Sequence, residues 1–213
     1  MRHAILALAC LAAPAALPAA AQADPQTAVF AGGCFWCVEA DFESVPGVGD
    51  AVSGLTGGTT PDPVYRASGD HLEAVRIPFD DDAIGYRQMV DLFLRSIDPF
   101  DAGGQFCDRG REYTTAIFAQ DDEQRRIAQA AIADAEAQLG RAIVTPVLPA
   151  SAFYPVDAFH QDYYKSDERL GVTSVGVAVP KSVAYKRYRD RCGRDQRVRQ
   201  IWGDAAPFAG GTS

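Results

Sequence analysis

The chain has 213 residues, with 20 lysines and arginines against 28 aspartates and glutamates, for a formal net charge of −8. This length fits one domain whose core needs no disulfide scaffold, and 47% apolar with 23% charged residues excludes a disordered or fibrous chain. The acidity excludes a general affinity for nucleic-acid backbones or anionic membranes.

Residues 1–23 read as a secretory signal peptide. Arg2 and His3 precede an apolar stretch from Ala4 to Leu17, and Ala21 and Ala23 place small residues where a signal peptidase cuts. The stretch is too short, and too broken by Pro14 and Pro18, for a membrane anchor. Cleavage after Ala23 implies export, to a periplasm, of one domain spanning 24–213. It also removes Cys10, leaving Cys34, Cys37, Cys107 and Cys192 in an oxidising compartment.

Thr27 to Ala31 reads as a buried strand running into Gly32-Gly33. Phe35, Val38, Phe42 and Val45 then fall at helical spacing until Pro46-Gly47. Ala51 to Thr56 is a second strand. Leu72 to Phe79 alternates, with Glu73, Val75, Ile77 and Phe79 on one face. Tyr86, Met89, Val90, Phe93 and Ile97 stripe a helix over about 82–96, and Tyr113 to Ala119 is a further strand. Asp121 with Gln124 forms a capping-box pattern opening an Ala-rich helix that stops at Gly140. The basic run from Lys181 to Arg199 reads as a solvated helix face. This order predicts an α+β fold, a two-layer α/β sandwich whose mixed sheet contains βαβ units with helices packed on it, followed by a long irregular C-terminal segment.

Two residues stand out chemically. Cys34 follows a Gly pair and opens a helix, where free N–H groups and the helix dipole favour a thiolate. Phe35 and Trp36 beside it can wall an apolar pocket. Glu73 lies in phase with the inward face of its strand, so desolvation raises its pKa and fits it to act as a general acid. The alternatives are a core cysteine and a glutamate that reaches solvent at the strand end or pairs with Arg76 or Arg111. Tyr65, Tyr113 and His160 are not singled out by pattern alone.

The segment GGCFWCVEADFESVPGV over 32–48, then Gly57-Gly58, Pro63-Val64-Tyr65-Arg66, His71-Leu72-Glu73, Asp108-Arg109-Gly110 with Tyr113, and His160-Gln161 resemble the A-type peptide methionine sulfoxide reductases in both motif and order. The resemblance implies that Cys34 is the nucleophile toward the sulfoxide sulfur and Glu73 the acid that protonates its oxygen. It implies that Tyr65 and Tyr113 hydrogen-bond that oxygen, Phe35 and Trp36 hold the S-methyl group, and Asp108 edges the site. The substrates would be oxidised proteins and free methionine S-sulfoxide, and the first products methionine and a Cys34 sulfenic acid.

The chain departs from the family pattern at several positions. Cys37 replaces a frequent Gly, Cys107 a common Asn, and Glu112 a usual Gln. The stretch from Tyr65 to His71 is short, and 165–191 lacks a glycine-rich tail. The resolving thiol is therefore open among Cys192, ranked first, Cys107, a competitor or relay partner of Cys192, and Cys37. A thioredoxin-like protein would return the electrons. No metal, bound cofactor, nucleic acid or membrane is called for, and a monomer is expected. The competing readings are a thioredoxin-like Cys-x-x-Cys oxidoreductase, a cysteine hydrolase using His160, and a binding domain with two structural disulfides.

Overall fold

A computed structural model of the protein describes residues 26–173 and 176–210; the proposed signal peptide over 1–23 lies outside them. Strand β1 (Gln26–Gly32) leads into helix α1 (Phe35–Glu43), and β2 (Val52–Thr56) and β3 (Leu72–Phe79) follow. Helix α2 (Tyr86–Ser96) precedes a short hairpin of β4 (Gly104–Gln105) and β5 (Asp108–Arg109). After a single turn over Arg111–Tyr113 come β6 (Thr115–Ala119), α3 (Asp122–Leu139), β7 (Val147–Pro149) and β8 (Tyr154–Pro155). The described residues of 140–173 and 176–180 are mostly irregular, but helices α4 (Lys181–Cys192) and α5 (Arg194–Trp202) follow, so the C-terminal segment expected to be irregular throughout is helical there.

The main sheet has the order β7-β6-β1-β3-β2-β8. Strand β1 runs antiparallel to both β3 and β6, with Phe30 opposite Val75 on one side and Ile117 on the other. Strand β2 is antiparallel to β3, and β6 is parallel to β7. The unit β6-α3-β7 is thus a direct βαβ crossover. In β1-α1-β2 the antiparallel β3 lies between the two parallel strands.

Side-chain alternation divides the sheet into two faces. On one, Phe30, Val75, Ile77, Phe79 and Ile117 pack against Val38 and Phe42 of α1, Met89, Val90 and Phe93 of α2, Ala128 and Ala131 of α3, and Val198 and Trp202 of α5. On the other, Val29, Ala31, Leu72, Ala74, Ala116 and Phe118 lie under Leu148 and Phe153. The helices therefore form one layer against one face. Asp121 caps α3, its Oδ1 accepting from the Gln124 N–H at 2.7 Å. The Gln124 amide reaches past the cap residue and accepts from the Gln120 N–H at 3.1 Å. Gly140 ends the helix in the left-handed conformation at φ 64°.

The basic run departs from the sequence expectation. It is helical, but Lys181, Arg189 and Arg194 are buried. Arg189 Nη1 donates to Asp41 Oδ1 at 2.7 Å, and Arg194 Nε lies 3.8 Å from Asp41 Oδ2. Lys181 donates to the Phe159 carbonyl at 2.9 Å and pairs with Glu168. Patterning by charge assigns such residues to solvent, whereas here an aspartate of α1 and a carbonyl from the loop compensate their burial.

Candidate active site

The site forms where β1 passes into α1. Gly33 takes φ +80°, and a Cβ there would stand 2.6 Å from Cβ of Gln105. Only glycine fits both the backbone conformation and the close approach. Gln105 is held from behind, accepting from the Asp98 N–H at 2.8 Å and donating to the Asp98 carbonyl at 2.9 Å. This seat fixes the turn that delivers Cys34. The Cys34 carbonyl accepts from the Cys37 and Val38 N–H groups at 3.1 and 3.5 Å, which starts the helix.

Glu73 reaches the same turn from the helix-facing side of β3. Its Oε2 accepts from the Phe35 N–H at 3.1 Å, and the residue is 4% exposed. Neither arginine considered as its partner takes that role. Arg76 stacks over Phe153 at 4.9 Å, and Arg111 donates to the Asp70 carbonyl at 3.1 Å. Burial, reinforced by the charges of Asp108, Glu112 and Cys37, pushes the Glu73 carboxyl up to about 8. It is a neutral acid at pH 7.

Cys34 and Cys37 are both unbridged and buried. The surroundings oppose the thiolate expected at Cys34. Burial raises its pKa well above the usual thiol value, with Cys37, Glu73 and Asp108 adding to the rise. The Phe35 N–H at the helix start is occupied by Glu73, and a thiolate would face Glu73 and Asp108 at close range. Cys37 moves the other way, to about 7, because the Cys34 thiol hydrogen-bonds to it and Arg194 and Arg189 lie on its side. The two thiols titrate as a pair, and Arg194 and Arg189 draw its negative charge toward the Cys37 side.

A pocket of about 130 Å³ is lined by Cys34, Phe35, Trp36, Tyr65, Glu73, Asp108, Tyr113 and Tyr188. That volume holds a group of roughly four heavy atoms. All seven residues expected to act on or bind substrate are brought together here, and Tyr188 joins them. Burial, followed by the charge of Glu73, raises the pKa of both Tyr65 and Tyr113, keeping them phenols able to donate. Burial raises the Asp108 carboxyl, and the Tyr188 hydroxyl, which donates to its Oδ2, opposes that rise.

Trp36 is held by stacking. Tyr163 lies parallel at 3.9 Å, His160 stacks at 5.7 Å, and Tyr188 meets its face edge-on at 6.1 Å. The His160 ring also sits 3.9 Å from that of Tyr65, and burial lowers its pKa. It lines an adjoining cavity of about 510 Å³ with Trp36, Tyr65, Arg66 and Phe159, not the pocket that holds Cys34. This separates it from the hydrolase role considered above.

Cys107 and Cys192 are bonded to each other, with Cα atoms 4.9 Å apart. Cys107 is exposed at the tip of the β4-β5 hairpin. Among the described residues two clusters bring ligand-type atoms within 4.8 Å, Cys107-Asp108-Cys192 and Glu39-Glu43-Asp162. In the first the sulfurs are bonded together. In the second the carboxylates already bind Ser53, Tyr164 and Lys165.

A cysteine thiol at a helix start, sharing a small apolar pocket with a neutral carboxylic acid and two phenols, defines a thiol enzyme site. Comparison with known proteins gives the particular family. Residues 26–202 match the family described as peptide methionine sulfoxide reductase, and the chain belongs to that family. It is 47% identical to peptide methionine sulfoxide reductase MsrA 2 of Rhizobium meliloti over 196 residues, covering 91% of each chain. It is 41% identical to the MsrA 2 of Caulobacter vibrioides, covering 92% of this chain and 94% of that one. Among solved structures, methionine sulfoxide reductase A of Corynebacterium diphtheriae aligns with a TM-score of 0.59 at 26% identity, over 75% of this chain and 84% of that chain. Reduced Mxr1 from Saccharomyces cerevisiae shares the fold, with a TM-score of 0.63 at 24% identity, over 66% of this chain and 84% of that chain.

Proposed function

We propose that the protein reduces methionine S-sulfoxide, free or in proteins, to methionine, and so repairs oxidised polypeptides. The observation that carries this reading is the single pocket shared by the Cys34 thiol and the buried acid Glu73. A sulfoxide is polarised, with its positive sulfur open to a thiol and its oxygen a poor leaving group until protonated. Cys34, giving its proton to the neighbouring Cys37 sulfur, attacks the sulfoxide sulfur while Glu73 gives its proton to the oxygen, and Tyr65 and Tyr113 donate hydrogen bonds to that oxygen. Phe35 and Trp36 supply the apolar wall for the S-methyl group. The bond between the two sulfurs and the substrate S–O bond then break as the hydroxyl passes to the Cys34 sulfur, so that methionine leaves and Cys34 carries the oxygen as a sulfenic acid.

A second thiol then attacks the Cys34 sulfur, forming a disulfide and releasing water. Cys37 is the thiol best placed for this step, one helical turn away and favoured as the anion. Cys192, ranked first from sequence, is bonded to Cys107 in this structure, as is Cys107 to it. A thioredoxin-like protein is the proposed electron donor, returning two electrons by thiol–disulfide exchange. Export to a periplasm is proposed from the leader sequence, where oxidised secreted proteins and free methionine sulfoxide would be the substrates.

The test is turnover of each methionine sulfoxide epimer with dithiothreitol. The expected result is methionine from the S epimer by the native chain and none after Cys34→Ser. No turnover of that epimer, or equal turnover by Cys34→Ser, would refute the assignment.

A further inference from the structure

Helix α4 grips the pocket wall twice. The Tyr188 hydroxyl donates to Asp108 Oδ2. One turn further along the helix, Cys192 is bonded to Cys107, the chain neighbour of Asp108. Residues four apart share a helix face, so both attachments reach the same short hairpin, β4-β5, whose strands have two residues each. The hairpin tip is itself tightly turned, with Phe106 at φ 55°. The Tyr188 ring is also part of the pocket, edge-on to Trp36. Asp108 gains a donor from Tyr188 at a place where burial works against its charge.

We propose that Tyr188 is a positioning residue that orients Asp108 in the sulfoxide pocket, and that the Cys107–Cys192 bridge locks it there, making the pocket sensitive to the redox state of that bridge. The inference rests on the sulfoxide reductase reading given above. Helix α4 is anchored to α1 through Arg189 and Asp41, so it offers the short hairpin a fixed support, and the covalent tether one turn from Tyr188 restricts how far the hairpin can shift against it. The lock is reversible. An external dithiol such as dithiothreitol reaches the exposed Cys107, is oxidised to its own disulfide, and leaves Cys107 and Cys192 as two thiols carrying the two protons. With the bridge open, the Tyr188 phenol still holds Asp108 from α4, while Gln105 and Arg109 keep the hairpin on Asp98 and Asp101.

The experiment follows methionine formation in a single turnover without reductant, on the full chain with Cys34 and Cys37 reduced and the bridge closed, as verified by thiol alkylation and mass. The native chain is compared with Tyr188→Phe, with the Cys107→Ser, Cys192→Ser pair, and with all three changes combined. The emission of Trp36 is read in a Trp202→Phe background, which leaves it as the only tryptophan.

The proposal expects each variant to form methionine about tenfold more slowly than the native chain, and the combination to lose no more than about another twofold, since all three changes release one clamp. It expects Trp36 emission to shift in the same sense in each. Losses that multiply, or rates and emission equal to the native chain, overturn it. If the serine pair does not fold, Tyr188→Phe decides alone, and unchanged rate and emission overturn the proposal. If the native chain forms no methionine, the sulfoxide reading fails, while the emission comparison still tests the clamp.

Discussion

Glu73 carries the most informative pH dependence. It must be protonated to act as an acid, so the single-turnover rate is expected to fall above about pH 8, where the buried group ionises. Glu73→Gln keeps an acceptor for the Phe35 N–H but has no proton to give. Its rate is expected to drop about 10²–10⁴-fold and to lose the alkaline limb. Stability moves the other way. The folded pKa is raised from 4.5 to about 8, so between those values the folded state holds a proton the unfolded state has lost, and stability falls as pH rises through that window. Thermal melting of Glu73→Gln against the native chain checks this, with an advantage to the variant that grows from about pH 5 to about pH 9. At Cys37, replacement by Ser is expected to strand Cys34 as a sulfenic acid, captured by dimedone, and to slow repeated turnover. A bridge from Cys34 to another cysteine would appear instead if Cys37 has no resolving role.

At the scale of elements, the start of α1 is built on one backbone conformation. Gly33→Ala places a Cβ at 2.6 Å from Gln105 and at φ +80°, a strain of about 1–3 kcal/mol. It is expected to lower the denaturant midpoint and to displace Cys34, reducing turnover in parallel; an unchanged midpoint would argue that the turn relaxes freely. This turn was readable in the sequence because its signals are local: a Gly pair, a cysteine and an apolar periodicity. The same holds for β3, whose alternation placed Glu73 inward, and for the caps of α3. Local patterns could not show what occupied the helix start. The Phe35 N–H goes to a glutamate 38 residues away, so the dipole argument for a Cys34 thiolate lost its donor. The Tyr188–Asp108 contact spans 80 residues and has no signature in either segment. It was missed for that reason.

Across the whole molecule, the C-terminal helices return to the first one. Arg189 and Arg194 bury against Asp41, an α1 residue one turn beyond Cys37, although a count of charges along α4 suggests a wet surface. This buried cluster ties α4 and α5 to the helix that carries both thiols, and it supplies the positive side that favours the Cys37 anion. Breaking one partner leaves a buried charge uncompensated. Arg189→Ala is accordingly expected to cost about 3–5 kcal/mol in denaturant unfolding and to raise the pH at which Cys37 reacts with iodoacetamide. A loss below about 1 kcal/mol would mark the pair as a surface-like bridge.

The central claim is that Cys34 takes the oxygen from a sulfoxide and Cys37 resolves it. The most direct measurement is one turnover of methionine S-sulfoxide without reductant, counting methionine formed and thiols lost, with the new disulfide mapped by peptide mass spectrometry. The account expects one methionine and two lost thiols per chain, Cys34 joined to Cys37, and the Cys107–Cys192 bridge unchanged. Methionine formed without loss of the Cys34 thiol would contradict it.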